Sequence, residues 1–273
     1  MPAFPKSVRR ILELSLDINC SPKELVAVIE KDPVMTMKLL RALNSAYYSF
    51  PKQITSVNQA VVYLGLNTIK NMALSFAALG TLPKNNAAGF DMQRYLLHSL
   101  TTAGLARLLA QKFNVADANP ADCYIAGLLH DFGKVVFAQS MPEEFKQALE
   151  KSAAESMPLH LAEQAVIGSD HTEIGAMLVE KWQFPIGIST LIREHHSLSA
   201  RHTGVAACLF VANQISKQLG YATSDYLNID EMPAELVAQF GGDLPEVIAS
   251  LGDISTLLQE AQAYAQAYQE PNT

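Results

Sequence analysis

The residues best equipped for chemistry are the histidines, and all seven in this 273-residue chain fall between His98 and His202. The most informative string is Gly127-Leu-Leu-His130-Asp131-Phe-Gly-Lys134. Imidazole nitrogen and carboxylate oxygen both ligate first-row metals, and an adjacent His-Asp pair can grip one ion. On a helix of 3.6 residues per turn, neighbouring side chains diverge by about 100°, so His130 and Asp131 are expected to meet beside one axis. The apolar run Ala126–Leu129 just before them sharpens the reading, because an aspartate carried into a core needs a partner to offset its burial. Lys134 stands one turn on, where its ammonium can meet that carboxylate or a phosphate oxygen.

Other histidines stand in comparable settings: His98 inside a long helical run after Arg94, His171 behind Asp170 at a helix start, and His195-His196 at a helix end. Each alone reads as a satisfied core or surface residue as readily as a ligand. His160 and His202 fit no ligand position and are read as surface residues. Glu173 and Glu194 are close enough in sequence to orient imidazoles, although each also suits a solvated helix face. Trp182 is expected in the core. Cys20, Cys123 and Cys208 are scattered in or beside apolar stretches, which suits reduced core residues better than a disulfide framework.

The elements that must position these groups are helical. Apolar residues recur with a period near 3.6, and no run alternates with a period of two between hairpin turns, so an all-α fold is expected. Ser21-Pro22-Lys23-Glu24 opens a helix as a capping box, Asp32-Pro33 restarts the chain, and Thr55-Ser56 begins the next helix. Helices are expected over about Val34–Leu43, Ser56–Leu64, Leu66–Leu79, Met92–Phe113, Pro120–Ala138 and Pro142–Ser152. More follow over Pro158–Ile167, His171–Trp182, Pro185–His195, Thr203–Leu219, Pro233–Gln239 and from Pro245 onward, with an Ala/Gln-rich C-terminal helix over Thr256–Gln269. The segment Leu82–Phe90, with Pro83, two asparagines and Gly89, is the clearest break.

Composition excludes several roles. Hydrophobic residues make up 49% and charged residues 17% of the chain, enough apolar material for a sizeable core. The net charge of −7, with no local run of Lys or Arg, gives no footprint for nucleic acid. Apolar stretches such as Met72–Gly80 fall well short of the roughly 20 residues that span a bilayer. No secretory signal pattern opens the chain. A cytoplasmic protein is expected.

His98, His130-Asp131 and the later histidines resemble the HD superfamily of metal-dependent phosphohydrolases. His-Asp-x-Gly-Lys followed by His171 and His195-His196 is most similar to the two-metal HD-GYP branch, which hydrolyses cyclic di-GMP. That resemblance implies a bridging Asp131, with His98 and His130 on one ion and His171, His195 and His196 around another. It further implies that Lys134 contacts phosphate and that the two ions activate a hydroxide. The ions would be Fe, Mn, Ni or Zn, one or two in number. Three positions depart from the pattern. Asn213 occupies the place of the terminal aspartate, leaving at most a weak ligand. Ser197-Leu-Ser-Ala-Arg-His-Thr-Gly204 replaces the Gly-Tyr-Pro segment. Arg94 stands where a further acidic ligand can occur.

The N-terminal half resembles the HDOD family of bacterial signalling domains, through Ile29-Glu-Lys-Asp32-Pro33, Leu39-Leu-Arg-Ala-Leu-Asn44-Ser45 and Ile54-Thr-Ser-Val-Asn-Gln-Ala60-Val-Val-Tyr-Leu-Gly65. The similarity implies an HDOD domain over 3–215, with an N-terminal lobe (3–82) packed on an HD-like core (91–215), then a helical extension (216–273). Asn44 and Ser45 are read as a helix end. Tyr47, Tyr48 and Phe50 form an aromatic cluster suited to lobe packing or to docking a partner. The implied function is a regulatory protein retaining an HD-type metal site, with a signalling protein as partner. The alternative is an active phosphohydrolase on a nucleotide or other phosphorylated small molecule, with Asp131 and Lys134 as its catalytic residues.

Overall fold

The protein is described from a computed structural model, which covers residues 10–11, 13–14, 21–44, 50, 52–66, 68–70, 72–73, 86–182, 184–197, 204–223 and 229–269. Every regular element among these residues is helical, so the fold is all-α. Contacts divide the chain into two compact units, Pro83–Leu257, and Pro2–Leu82 taken with Leu258–Thr273.

The second of these units contains α1 (Pro22–Glu30), α2 (Pro33–Leu43) and α3 (Val57–Leu64). Its helices start where the capping chemistry dictates. Ser21 Oγ accepts the Glu24 N–H at 3.3 Å while the Glu24 carboxylate accepts the Ser21 N–H at 3.2 Å. Asp32 caps α2 through the Met35 N–H at 3.1 Å, and Ser56 caps α3 through the Gln59 N–H at 3.1 Å. Leu25, Ile29, Leu39, Leu43, Val57 and Ala60 form the buried face. Asn44, at the end of α2, staples the following loop: its amide donates to the Leu40 and Ile54 carbonyls and its Oδ1 accepts the Ile54 N–H, each at 2.8 Å. Ser45, Tyr47 and Tyr48 lie outside the described residues, and Phe50 packs its ring 5.4 Å from that of Tyr63.

The larger unit runs α4 (Met92–Phe113), α5 (Pro120–Leu129), α6 (Phe132–Ser140), α7 (Pro142–Ala154), α8 (Leu159–Ile167), α9 (His171–Lys181), α10 (Ile186–Glu194) and α11 (Gly204–Ser216). A π-helical turn, Lys217–Tyr221, leads on to α12 (Ala234–Phe240), α13 (Leu244–Leu251) and α14 (Ser255–Gln269), the last of which begins here and ends in the other unit. Helix α4 is buried on most of its circumference between α5 and α11. Leu105, Leu109, Val211, Ile215, Leu236 and Phe240 form the centre of this core. Cys123 and Cys208 are free and buried in it, and Trp182 stands edge-on to Phe132 at 5.3 Å. Cys20 and His202 lie outside the described residues. Among the described residues no helix is long and apolar enough to cross a membrane.

Gly252, at φ +74°, ends α13, and α14 then covers the expected C-terminal helix Thr256–Gln269. One helix expected as continuous is broken. The run Pro120–Ala138 parts at His130-Asp131, with Asp131 at φ −97°, ψ 7°. His130 and Asp131 therefore meet at a joint between two helices, not beside one axis. Beyond the joint α6 lies directly against the start of α9, where a Cβ on Gly133 would overlap the carbonyl of His171.

Candidate metal centre

Close helix packing carries the functional side chains to one point. A Cβ on Gly127 would lie 2.6 Å from Ala103 Cα, so α5 lies close along α4 and brings His130 beside His98. Gly133 does the same for α6 and α9. Gly175, whose Cβ would meet Ile192 and Gly133, lets α9 approach α10, whose C-cap is His195. Asp170 caps α9 through the Thr172 and Glu173 N–H groups, so His171 begins that helix facing inward.

Asp131 lies at the focus, 2% exposed. Its Oδ2 is 3.5 Å from Nε2 of both His98 and His130. Its Oδ1 is 3.3 Å from His171 Nε2 and 3.7 Å from His195 Nε2. The ligand atoms of His98, His130 and Asp131 all lie within 4.8 Å of one another, as do those of His171, His195 and His196. Within the two groups, the His98–His130 Nε2 separation is 3.2 Å and the His171–His196 Nε2 separation 3.1 Å. Two nitrogens held at about 2.1 Å from one ion lie roughly 3.0–3.4 Å apart for angles between octahedral and tetrahedral. Both observed spacings fall inside that window.

The outer nitrogens are anchored. His130 Nδ1 lies 2.8 Å from the Gly127 carbonyl and His195 Nδ1 lies 2.7 Å from the Ile192 carbonyl. A carbonyl only accepts, so each Nδ1 carries the proton and each Nε2 presents a lone pair inward. His195 Nε2 has no hydrogen-bond partner although it is buried against Asp131. A buried lone pair facing a carboxylate is unfavourable unless a hydrogen-bond donor or a cation lies between them. The donor set therefore fits a divalent metal, and imidazole with carboxylate suits Fe, Mn, Ni or Zn.

Electrostatics keep most of these imidazoles ready to ligate. Burial lowers His98, His130, His195 and His196 below the ordinary histidine range, so they are neutral near pH 7. His171 is the exception: burial pulls it down, but the Glu163 carboxylate and the contact with Asp131 outweigh that and raise it to about 9. Burial alone would raise Asp131, yet His130, Lys134 and His171 around it hold its carboxyl well below the usual range. Lys134 Nζ donates to Asp131 Oδ2 at 2.5 Å and to Thr223 Oγ1 at 3.0 Å.

The structure thus brings His98, His130, Asp131, Lys134, His171, His195 and His196 together. Asn213, 5% exposed, lies on α11 one turn before Ser216, whose Oγ is 3.1 Å from His98 Nδ1, and the Asn213 Oδ1 has no hydrogen-bond partner. Arg94 turns away from a ligand role and donates from Nε to the Ala222 carbonyl at 3.1 Å.

One reading needs correction, and one residue escaped the sequence reading. His160 is no free surface residue: its ring stacks on His196 at 4.2 Å, and burial followed by the nearby His171 charge pushes it down to about 4. Glu173 and Glu194 follow the solvated-helix alternative: Glu173 pairs with Arg193 at 3.1 Å and Glu194 is exposed. The carboxylate behind an imidazole is Glu163, 0% exposed, with Oε2 2.6 Å from His171 Nδ1. A signal for it was present, because Glu163 falls on the apolar stripe Leu159, Ala162, Val166 of α8, where a solvated glutamate does not belong.

Comparison with known proteins agrees with the fold. The HDOD domain model matches residues 1–198. An uncharacterized protein of Treponema pallidum is 29% identical over 198 residues, which is 72% of this chain and 38% of that relative. The chain therefore spans well under half of that curated relative's length. An HDOD domain protein from Geobacter sulfurreducens superposes with a TM-score of 0.79 at 24% identity, covering 98% of this chain and 93% of that one. A Marinobacter aquaeolei VT8 protein provisionally named for signal transduction superposes with a TM-score of 0.82 at 23% identity, covering 99% of this chain and 60% of that one. With the family model spanning most of its length, the chain belongs to the HDOD domain family.

Proposed function

We propose that this chain is an HDOD regulatory protein whose Pro83–Leu257 unit holds a two-ion divalent metal centre bridged by Asp131. One observation carries the reading: the two oxygens of a single buried carboxylate each face a different set of imidazoles, and two of those imidazoles have their Nε2 lone pairs fixed inward. His98 and His130 would hold one ion, His171, His195 and His196 the other, and Asn213 adds a neutral oxygen to the surroundings. The partner under this reading is a second signalling protein, and the metal state of the unit is what it would read.

A second reading, metal-dependent phosphohydrolysis, is favoured by the positive groups near Asp131. Lys134 is held between Asp131 and Thr223. Lys217, half-buried directly after Ser216, adds a positive field at His98, His160 and His196. These ammonium groups suit the phosphate of a small phosphorylated ligand, and Lys134 would orient it. Bound divalent ions would supply Lewis-acid polarisation of a phosphoryl oxygen. Asn213 weighs against fast turnover, because a neutral amide does not help offset two dications.

Elemental analysis of protein loaded with Mn, Fe, Ni or Zn and then dialysed tests the first reading. Two ions per chain are expected, falling to one in His98→Ala and in His195→Ala and to none in Asp131→Ala. Wild-type protein that retains no ion would sink the proposal. Turnover on nucleotides or generic phosphate esters, abolished by His130→Ala and Asp131→Ala, would establish the hydrolase reading.

A further inference from the structure

We propose that Glu163 is the positioning residue that makes the His171–His195–His196 half a metal site in its own right, supplying the second negative charge of the centre from behind His171. This inference rests on the metal-centre reading above. Glu163 projects from α8 and is wholly buried. Its Oε2 accepts two hydrogen bonds, from the His171 main-chain N–H at 2.8 Å and from His171 Nδ1 at 2.6 Å. One oxygen thus clamps both the first residue of α9 and its ring. The clamp fixes Nδ1 as the outer nitrogen and points Nε2 at Asp131 Oδ1 and at His196 Nε2.

The other half has no such device. Behind His98 stands the Ser216 hydroxyl and behind His130 the Gly127 carbonyl, both neutral. Asp170, the carboxylate next to His171 in sequence, has its Oδ1 engaged in capping α9, where it accepts from the Thr172 N–H and hydroxyl and the Glu173 N–H. Glu163 Oε1 has no partner of its own, so nothing else in the described structure accounts for keeping this carboxylate buried. A carboxylate hydrogen-bonded to a ligating imidazole fixes its orientation and raises its basicity, and removing such a partner typically weakens metal binding by about 10–100-fold. With Asn213 in place of a carboxylate, Asp131 is shared between both halves. Glu163 then gives the α9–α10 half an anion that Asp131 alone cannot provide.

The test uses the full chain and Co(II), whose visible absorption reports its ligands. Glu163→Gln is introduced into wild type, into His98→Ala, which leaves only the α9–α10 half, and into His195→Ala, which leaves only the α4–α5 half. In wild type it should weaken one of two Co(II) ions about 10–100-fold and leave the other unchanged. In His98→Ala it should weaken the remaining ion by the same factor and shift its absorption bands. In His195→Ala it should change neither affinity nor spectrum, which also shows that the substituted chain folds. Two ions bound within twofold of wild type by Glu163→Gln, or equal weakening in both single-site backgrounds, would overturn the inference. A wild-type chain that binds no Co(II) would instead overturn the metal-centre reading itself.

Discussion

Without metal, the charges around Asp131 close on themselves: Lys134 neutralises Asp131, and protonated His171 neutralises Glu163. The His171 proton matters most, because its folded-state value of about 9 lies above the ordinary 6.5. Its contribution to the metal-free fold is complete below pH 6.5 and is lost as pH rises through about 9. A divalent ion competes for the same nitrogen, so metal affinity should rise with pH across that interval. Loading near pH 7 should release about one proton from His171 for each chain that fills its α9–α10 half. Calorimetric titrations in buffers of different ionisation enthalpy will read that proton, and a buffer-independent heat would contradict it. Lys134 gives a second prediction. It is 7% exposed and sits 2.5 Å from a buried carboxylate, so Lys134→Ala leaves Asp131 with only the His171 proton to offset its charge. Metal-free protein should lose about 3–5 kcal/mol, and urea denaturation should show much of that loss restored by Zn or Mn, because the ion replaces the ammonium.

Between elements, the joint at His130-Asp131 decides the site. A continuous helix over 120–138 would keep both side chains beside one axis, whereas the break lets α5 deliver His130 toward His98 while α6 lies against α9. Gly133 is the residue on which that packing depends, since an added Cβ would collide with main-chain atoms that cannot rotate aside. Gly133→Ala should cost about 1–3 kcal/mol, toward the upper end because backbone must shift. It should also separate His171 from Asp131, so that the ion held by His171, His195 and His196 is lost first. Metal counting on folded Gly133→Ala protein checks this, and two retained ions would show that the approach of α6 to α9 is dispensable. The helix starts, by contrast, depend on local chemistry alone: Ser21, Asp32 and Ser56 cap their helices as their sequence settings indicate.

Across the molecule, the site residues all belong to the Pro83–Leu257 unit, while α1–α3 belong to the other. A ligand that binds only the folded state stabilises what it holds together, by about 2.7 kcal/mol at a hundredfold excess over its dissociation constant. Metal should therefore slow hydrogen exchange in α4–α6 and α8–α11 more than in α1–α3. Mass spectrometry of exchanged peptides will show the pattern, and protection confined to α1–α3 would place metal binding elsewhere.

The sequence alone determined the all-helical class, the helix caps, the family resemblance and which imidazoles to suspect, because periodicity, capping and motif spacing are properties of neighbouring residues. It missed Glu163 behind His171, the stacking of His160 on His196 and the break inside Pro120–Ala138. Those features arise where helices distant in sequence approach within a glycine's width, as at Gly127 and Ala103 or Gly133 and His171. Spacing along one helix sets which side chains share its face. Which of them then confront one carboxylate from opposite sides is set by packing between helices, and only the tertiary structure decided that.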